Sequence, residues 1–432
     1  MLAFAVQFTE QTVLSLREHE HCELALPESD VAFLAAHFSR RIRIERGTDA
    51  DVWSFNPQSH VGIVHLPSGT LLRCEPKLPV QNIFHMLATV LRFPSPFRDE
   101  PVQYDDFEEL FDFVVEHFAN LVQIRLERGL YRSYIEREEN LLTIRGRILT
   151  APDIRQNYIL RHRTYCQFTE FSWDLPENRV IRQAVHSAFQ MVKKRDLRKR
   201  LAEIDQLLGE LDPTPLPLSV FDRFTYHRLN DDYEPIHRLA RLILEGSSVS
   251  EELGEVGFRA FLLDMNLLFE QYVEASLIER MKPPISVSGQ VKDRLDTDRR
   301  VPIKPDLVFC RDHQPVLIAD CKYKRQTDEA FRNADLYQVL AYCTAFDLSR
   351  GALIYPRWEV GLKGEVAVRN SDVRIRHFDV DLSVDVGVLP AVMDDLASAL
   401  FEWADTGHMG NGEQEPSLDR RRGPGEGPRA DA

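Results

Sequence analysis

Between residues 300 and 324 the chain reads RVPIKPDLVFCRDHQPVLIADCKYK, and within it Asp306, Asp320 and Lys322 have the types and spacing that suit metal-assisted phosphodiester chemistry. Two apolar, strand-like runs flank the turn-rich RDHQP, a pattern that predicts a hairpin. Strand side chains alternate faces, so Asp320, Lys322 and Lys324 share one face and Leu317, Ala319 and Cys321 the other, while Asp306 opens the partner strand after Pro305. Two carboxylates and an ammonium at one sheet edge suit Mg²⁺, which prefers oxygen ligands, polarises a phosphate and lowers the pKa of bound water. The ammonium then neutralises developing charge or orients the attacking hydroxide.

The spacing alone is weak evidence. With 68 acidic residues and 10 lysines in 432, acidic-x-Lys should occur roughly one or two times by chance. It occurs twice, and the other copy, Glu75-Pro76-Lys77, carries a proline inside the pattern and lacks a Pro-Asp strand about a dozen residues upstream. The bland alternative for Asp306, Asp320 and Lys322 is a surface hairpin with a solvated salt bridge.

Flanking elements must position these residues. Upstream, FRAFLLDMNLLFEQYVEASLIERM (258–281) predicts a helix with Leu262, Met265, Phe269 and Val273 on its buried side, and Glu270 beside that stripe, facing either the hairpin or water. Downstream, DLYQVLAYCTAF (335–346) predicts a helix that sets Gln338 and Tyr342 four apart on one face, either at the site or simply packing the helix on the sheet. GALIYP (351–356) fits a buried strand.

The expected fold class is a multidomain chain of mixed α+β and α/β type: a β-rich or α+β N-terminal domain over 1–100, a mainly helical region over 101–250 and a catalytic core over 251–404. Strands are expected in RIRIER (41–46), VGIVHL (61–66), TLLRCEPKL (70–78) and LLTIRGRIL (141–149). Helices are expected over 107–130, with Leu110, Phe111, Val114, Phe118, Leu121 and Ile124 on one side, over 178–211, and over 233–246. Residues 405–432 hold almost no apolar side chain and are expected to be a disordered tail.

Composition excludes several classes. At 44% hydrophobic and 28% charged residues the chain is globular rather than fibrous. No run of about 18 apolar residues and no basic start followed by an apolar stretch occurs, which predicts a cytoplasmic protein without a membrane span. Six scattered cysteines without C-x-x-C argue against a disulfide framework or a zinc ribbon. A net charge of -15 means that DNA contacts must come from local basic surfaces. KKRDLRKR (193–200) is one such tract, although a run of this kind usually forms the solvated face of a helix. His19-Glu20-His21-Cys22 lacks the spacing of H-E-x-x-H and is not expected to bind metal. None of the ten lysines follows a glycine, so no phosphate-cradling G-x-x-x-x-G-K-[ST] loop is present and no nucleotide is expected on this chain.

The order helix, hairpin, helix, strand, with these acidic residues, resembles the PD-(D/E)xK nuclease core, and Gln338-x-x-x-Tyr342 resembles the version found in RecB-type nucleases. LLDMNLLFEQYV (262–273), PDLVF, IADCKYK and YQVLAY are together similar to the McrC family, the nuclease subunits of McrBC modified-cytosine restriction systems. VGIVHLPSGTLLRCEPKL (61–78), IRGRI (144–148), TEFSWDLPENRVIRQAV (169–185) and NDDYEPIHRLARLIL (230–244) resemble blocks of that family in the same order, so the likeness covers most of residues 50–380. The resemblance implies a Mg²⁺-dependent endonuclease acting on double-stranded DNA, with Asp306, Asp320 and Glu270 as metal ligands. Lys322 would lie beside the attacking water, with Gln338 and Tyr342 in support. It also implies an AAA+ GTPase partner of McrB type, docked on the N-terminal domain. Two nuclease domains, or two ring complexes, would meet for a double-strand break. A non-catalytic activator of the ring and a ring-independent RecB-like nuclease are the alternatives.

Overall fold

The computed structural model describes residues 12–49, 52–92, 107–159, 162–192, 194–247, 260–324, 329–357 and 364–406. From residue 407 the expected tail lies outside them. The chain divides into two compact units, residues 1–272 with 382–389, and residues 273–381 with 390–432.

The first unit begins with β1 (Val13–Arg17), β2 (Cys22–Leu24), α1 (Glu28–Phe38), β3 (Arg43–Arg46), β4 (Trp53–Asn56), β5 (His60–His65), β6 (Leu71–Glu75) and α2 (Val80–Val90). Val31, Leu34 and Phe38 recur at helical spacing on α1 and pack with Leu16, Phe55, Val64 and Leu72 from the strands. The turn Pro67-Ser68-Gly69 joins β5 to β6, with Gly69 at φ +87°. The sequence continues with α3 (Phe107–Arg128), β7 (Ser133–Leu141), β8 (Arg147–Ile148), α4 (Thr150–Asn157), β9 (Thr164–Ser172), α5 (Pro176–Met191), α6 (Arg195–Leu207), α7 (Tyr233–Ser247), β10 (Ala260–Asp264) and α8 (Met265–Arg280). The stretch 101–250 thus carries a three-stranded sheet, order β7-β9-β8, besides its helices.

Four expectations need correction here. The helix foreseen over 178–211 is two, α5 and α6, with Val192 and Lys194 extended between them. Val192 and Leu197 are five residues apart, about 140° around a continuous helix, so one straight helix would carry the second apolar stripe off the core. The break lets Val185 and Ala188 on α5, Val192 at the junction, and Leu197, Leu201 and Ile204 on α6 all be buried. On α3, Val122 is buried and Ile124 is 46% exposed, because the stripe drifts around the helix. Residues 142–146, expected in a strand, form the connection between β7 and β8, with Gly146 at φ +71°.

The fourth correction matters most for the site. The helix expected from residue 258 starts at Met265; Ala260 to Asp264 are β10, which pairs antiparallel with β5 in a sheet of order β1-β6-β5-β10. Ala260, Phe261, Leu262 and Leu263 are all buried, the mark of a strand covered on both faces. Asp264 then starts α8: its Oδ1 accepts from the Asn266 N–H at 2.9 Å. Strand β5 comes so close to β10 that a Cβ on Gly62, at φ +138°, would lie 2.0 Å from the Phe261 carbonyl oxygen.

In the second unit, β11 (Ile285–Gly289), β12 (Asp293–Arg294), β13 (Pro302–Ile303), β14 (Leu307–Arg311), β15 (Gln314–Cys321), α9 (Glu329–Ala345), β16 (Arg350–Pro356), β17 (Glu365–Ala367) and β18 (Arg374–Val380) precede α10 (Leu389–Thr406). The six-stranded sheet runs β11-β14-β15-β16-β18-β17, with β15, β16 and β18 parallel. Asp312 and His313, both at positive φ, make the two-residue turn between β14 and β15. Helix α9 connects β15 to β16 and lays Val339 and Cys343 on Leu353, Tyr355 and Ile375.

Candidate active site

The hairpin is present as the alternation predicts. Asp306 precedes β14, Asp320 is the penultimate residue of β15, and Lys322 follows the strand's end, where its N–H donates to the Ile354 carbonyl at 2.9 Å and extends the pairing with β16. Lys322 Nζ stands 2.6 Å from Asp320 Oδ2. The Cys321 N–H donates to Asp306 Oδ2 at 2.8 Å, tying the two carboxylate-bearing arms together. The backbone of Asp306 is held as well, its carbonyl accepting from Gln290 N–H at 2.9 Å.

This is not a solvated ion pair. Asp320 is 0% exposed, and its Oδ1 is buried without a hydrogen-bond partner among the described residues. Burial, together with the nearby charge of Asp320, pushes the Asp306 carboxyl up to about 7, against the Cys321 N–H and Lys322. Burial also raises Asp320, opposed by Lys322. For Lys322, burial favours the neutral amine but is outweighed by Asp320 and Asp306, so the ammonium is held above its ordinary range. Two desolvated carboxylates with one cation leave a local excess of negative charge, and their oxygens fit a hard divalent ion. Among the described residues no group of three His, Cys, Asp or Glu side chains forms a metal cluster, so Asp306 and Asp320 stand as a pair.

Helix α9 supplies the next layer. Gln338 Nε2 donates to Tyr342 Oη at 2.6 Å, and Tyr342 Oη donates to the Lys304 carbonyl at 3.4 Å, on the arm that leads to Asp306. Burial raises the Tyr342 phenol, with Asp320 and Asp306 adding to the effect, which places it within the field of the carboxylates. Glu270 is half-buried on α8 and belongs to the first unit. Sequence reading overlooked Asp335, buried on α9 and bonded to Lys324 and Tyr355. Its signal was spacing, since 335, 338 and 342 follow one helix face.

Other sequence candidates lie in the first unit. In the basic tract, Lys194 pairs with Asp112 at 3.8 Å, Lys199 with Glu203 at 3.9 Å, and Arg200 Nε donates to Gln123 at 2.7 Å. Glu75 ends β6, and the Lys77 N–H donates to Glu18 Oε2 at 3.3 Å.

A family model described as "McrBC 5-methylcytosine restriction system component" matches residues 55–356. The chain belongs to this family. It is the family to which the sequence blocks pointed. The type IV methyl-directed restriction enzyme EcoKMcrBC of Escherichia coli strain K12 is 21% identical over 324 residues, which cover 69% of this chain and 92% of that protein. Among solved structures, the refined half-complex from a tetradecameric assembly of Thermococcus gammatolerans McrB AAA+ hexamers with bound McrC aligns over 90% of this chain and 100% of that chain, at 18% identity and a TM-score of 0.51. That likeness concerns the fold. A cryo-EM structure of the T. gammatolerans McrBC complex covers 62% of this chain and 88% of that chain, at 20% identity and a TM-score of 0.39. Among the described residues no helix is long and apolar enough to cross a membrane.

Proposed function

We propose that this restriction-system component is a Mg²⁺-dependent DNA endonuclease with a PD-(D/E)xK core, delivered to DNA by an AAA+ GTPase ring of McrB type that it also stimulates. The observation that carries the reading is the convergence of Asp306 and Lys322 with the buried Asp320. Asp306 and Asp320 would supply oxygen ligands for the metal. When bound, the ion supplies Lewis-acid polarisation of a phosphate and a lowered pKa for water. Lys322, kept charged by its carboxylate neighbours, balances the negative charge that builds on the phosphate in the transition state. Gln338 and Tyr342 hold the Asp306 arm to α9.

An exposed apolar surface supports a partner. Tyr134 and Phe171 are 73% and 54% exposed and face each other across β7 and β9, with ring centroids 5.0 Å apart. Leu142, Ile144, Ile154 and Tyr158, in the segments that join β7, β8 and β9, are each at least 60% exposed. Large apolar side chains so concentrated in water mark an interaction surface. A similar chain was solved bound to AAA+ hexamers, and we assign this face to such a ring as a docking surface beside the N-terminal 100 residues.

Reconstitution tests the whole reading. The chain, an AAA+ GTPase from the same restriction system, GTP and methylated duplex DNA should give cutting with Mg²⁺ and none with EDTA, and GTP turnover should rise when the chain is added. Cutting that persists undiminished in EDTA would refute the metal mechanism. GTP turnover unaffected by the chain would refute the partnership.

A further inference from the structure

Asp320 and Asp335 are the buried acidic side chains among the described residues of the second unit, and the nuclease reading uses only the first. Asp335 is 4% exposed on α9, and both its oxygens are engaged. Lys324 Nζ stands 2.8 Å from Oδ1 and 2.7 Å from Oδ2, and Tyr355 Oη, on β16, donates to Oδ2 at 2.7 Å. Tyr355 itself is 1% exposed. Taking an ion pair out of water costs about as much as the pair returns, so a buried pair contributes little net stability and a fixed arrangement is what it secures.

What this arrangement fixes is the end of β15. Lys324 lies two residues beyond Lys322 and four beyond Asp320, and between them Tyr323 is 1% exposed. Asp335 therefore ties the arm bearing Asp320 and Lys322 to α9. Two turns further along the same helix, Tyr342, which accepts from Gln338 one turn before it, donates to the Lys304 carbonyl on the other arm, two residues before Asp306. One helix thus grips both carboxylate-bearing arms. We propose that Asp335 is a positioning residue, acting through Lys324 and Tyr355 to hold Asp320 at the separation from Asp306 that a shared divalent ion requires. The proposal rests on the nuclease reading above.

Binding of Mn²⁺ by the full-length chain alone, followed by the paramagnetic resonance of free Mn²⁺, tests this without DNA or the ring. The unmutated chain should bind, and Asp320→Ala should abolish binding. Asp335→Asn should weaken it about 10- to 100-fold, the range seen when residues supporting a metal's ligands are lost. Lys324→Met should do the same, and Lys324→Arg should restore most of the affinity. Tyr355→Phe, which removes one hydroxyl, should weaken binding several-fold and keeps the test alive if Asp335→Asn fails to fold by circular dichroism. A group that only stabilised the fold would lower the melting temperature and leave the Kd unchanged. Folded Asp335→Asn or Tyr355→Phe with unmutated affinity, while Asp320→Ala has lost it, overturns the positioning role alone. An unmutated chain that binds no Mn²⁺ overturns the nuclease reading and this role with it.

Discussion

The Cys321 N–H donates to Asp306 Oδ2 across the hairpin at 2.8 Å. The bond uses the backbone of a residue whose side chain lies on the opposite face of the strand from Asp320, so the ladder itself presents one carboxylate to the other. Cysteine between Asp320 and Lys322 is therefore no obstacle to the site, since the contact runs through its amide.

Asp320→Ala and Lys322→Ala should each lower ring-dependent DNA cutting by about 10² or more, the usual cost of removing a charge that stabilises the transition state. Stimulation of the partner's GTP turnover should survive in both. Cutting and GTP hydrolysis are to be measured on the same reconstituted samples. A folded Asp320→Ala variant that cuts at the unmutated rate would make the chain an activator rather than a nuclease.

Asp306 makes metal-free stability depend on pH. A carboxyl raised from 3.8 to about 7 retains in the folded state a proton that the unfolded chain gives up. Its contribution is fully present below pH 3.8 and is lost as pH climbs through about 7. Asp306→Asn, which cannot ionise, should therefore melt a few degrees higher than the unmutated chain at pH 8 in EDTA. The difference should shrink below pH 4. Calorimetric scans across that range check it, and a variant less stable at pH 8 contradicts the assignment.

Tyr134→Ser combined with Phe171→Ser should abolish ring stimulation and leave melting nearly unchanged. The two rings are mostly exposed, and exposed side chains contribute little to folding. Mn²⁺ binding by the chain, measured as above, should equal that of the unmutated protein. Titration of the chain into the GTPase, read as turnover, decides the point; full stimulation by the double variant would move the docking surface elsewhere.

Gly62→Ala should destabilise the first unit by about 2 kcal/mol or more, because the added Cβ would meet the Phe261 carbonyl at 2.0 Å and β10 would have to move. Chemical denaturation followed by tryptophan fluorescence checks it. An unchanged midpoint would mean that β5 and β10 have room to part.

The hairpin and its flanking helix were readable because each obeys a local rule. Alternation put Asp320 and Lys322 on one face, and a spacing of four joined Gln338 to Tyr342. The misread places are those where a local pattern competed with a distant partner. Residues 260–264 have the apolar content of a helix start, but β5 recruits them as a strand, and the capping role of Asp264 was the overlooked sign. Helices α5 and α6 read as one because neither proline nor glycine marks the break; only the jump in apolar phase between Val192 and Leu197 does. Asp335 escaped notice because its partners, Lys324 and Tyr355, come together only once α9 has crossed from β15 to β16.

Residues 382–389 return to the first unit after the six-stranded sheet is complete, and the Asn82 side chain there donates to the carbonyls of Leu382 and Val384 at 2.7 and 2.8 Å. The polypeptide consequently crosses between the units three times, after residues 272, 381 and 389. A protease nick near residue 381 would leave the two parts joined through α8, and a nick within α8 would leave them joined through the returning segment. A gene fragment beginning at residue 273 would start inside a helix and carry a strip of chain whose docking site had been left behind.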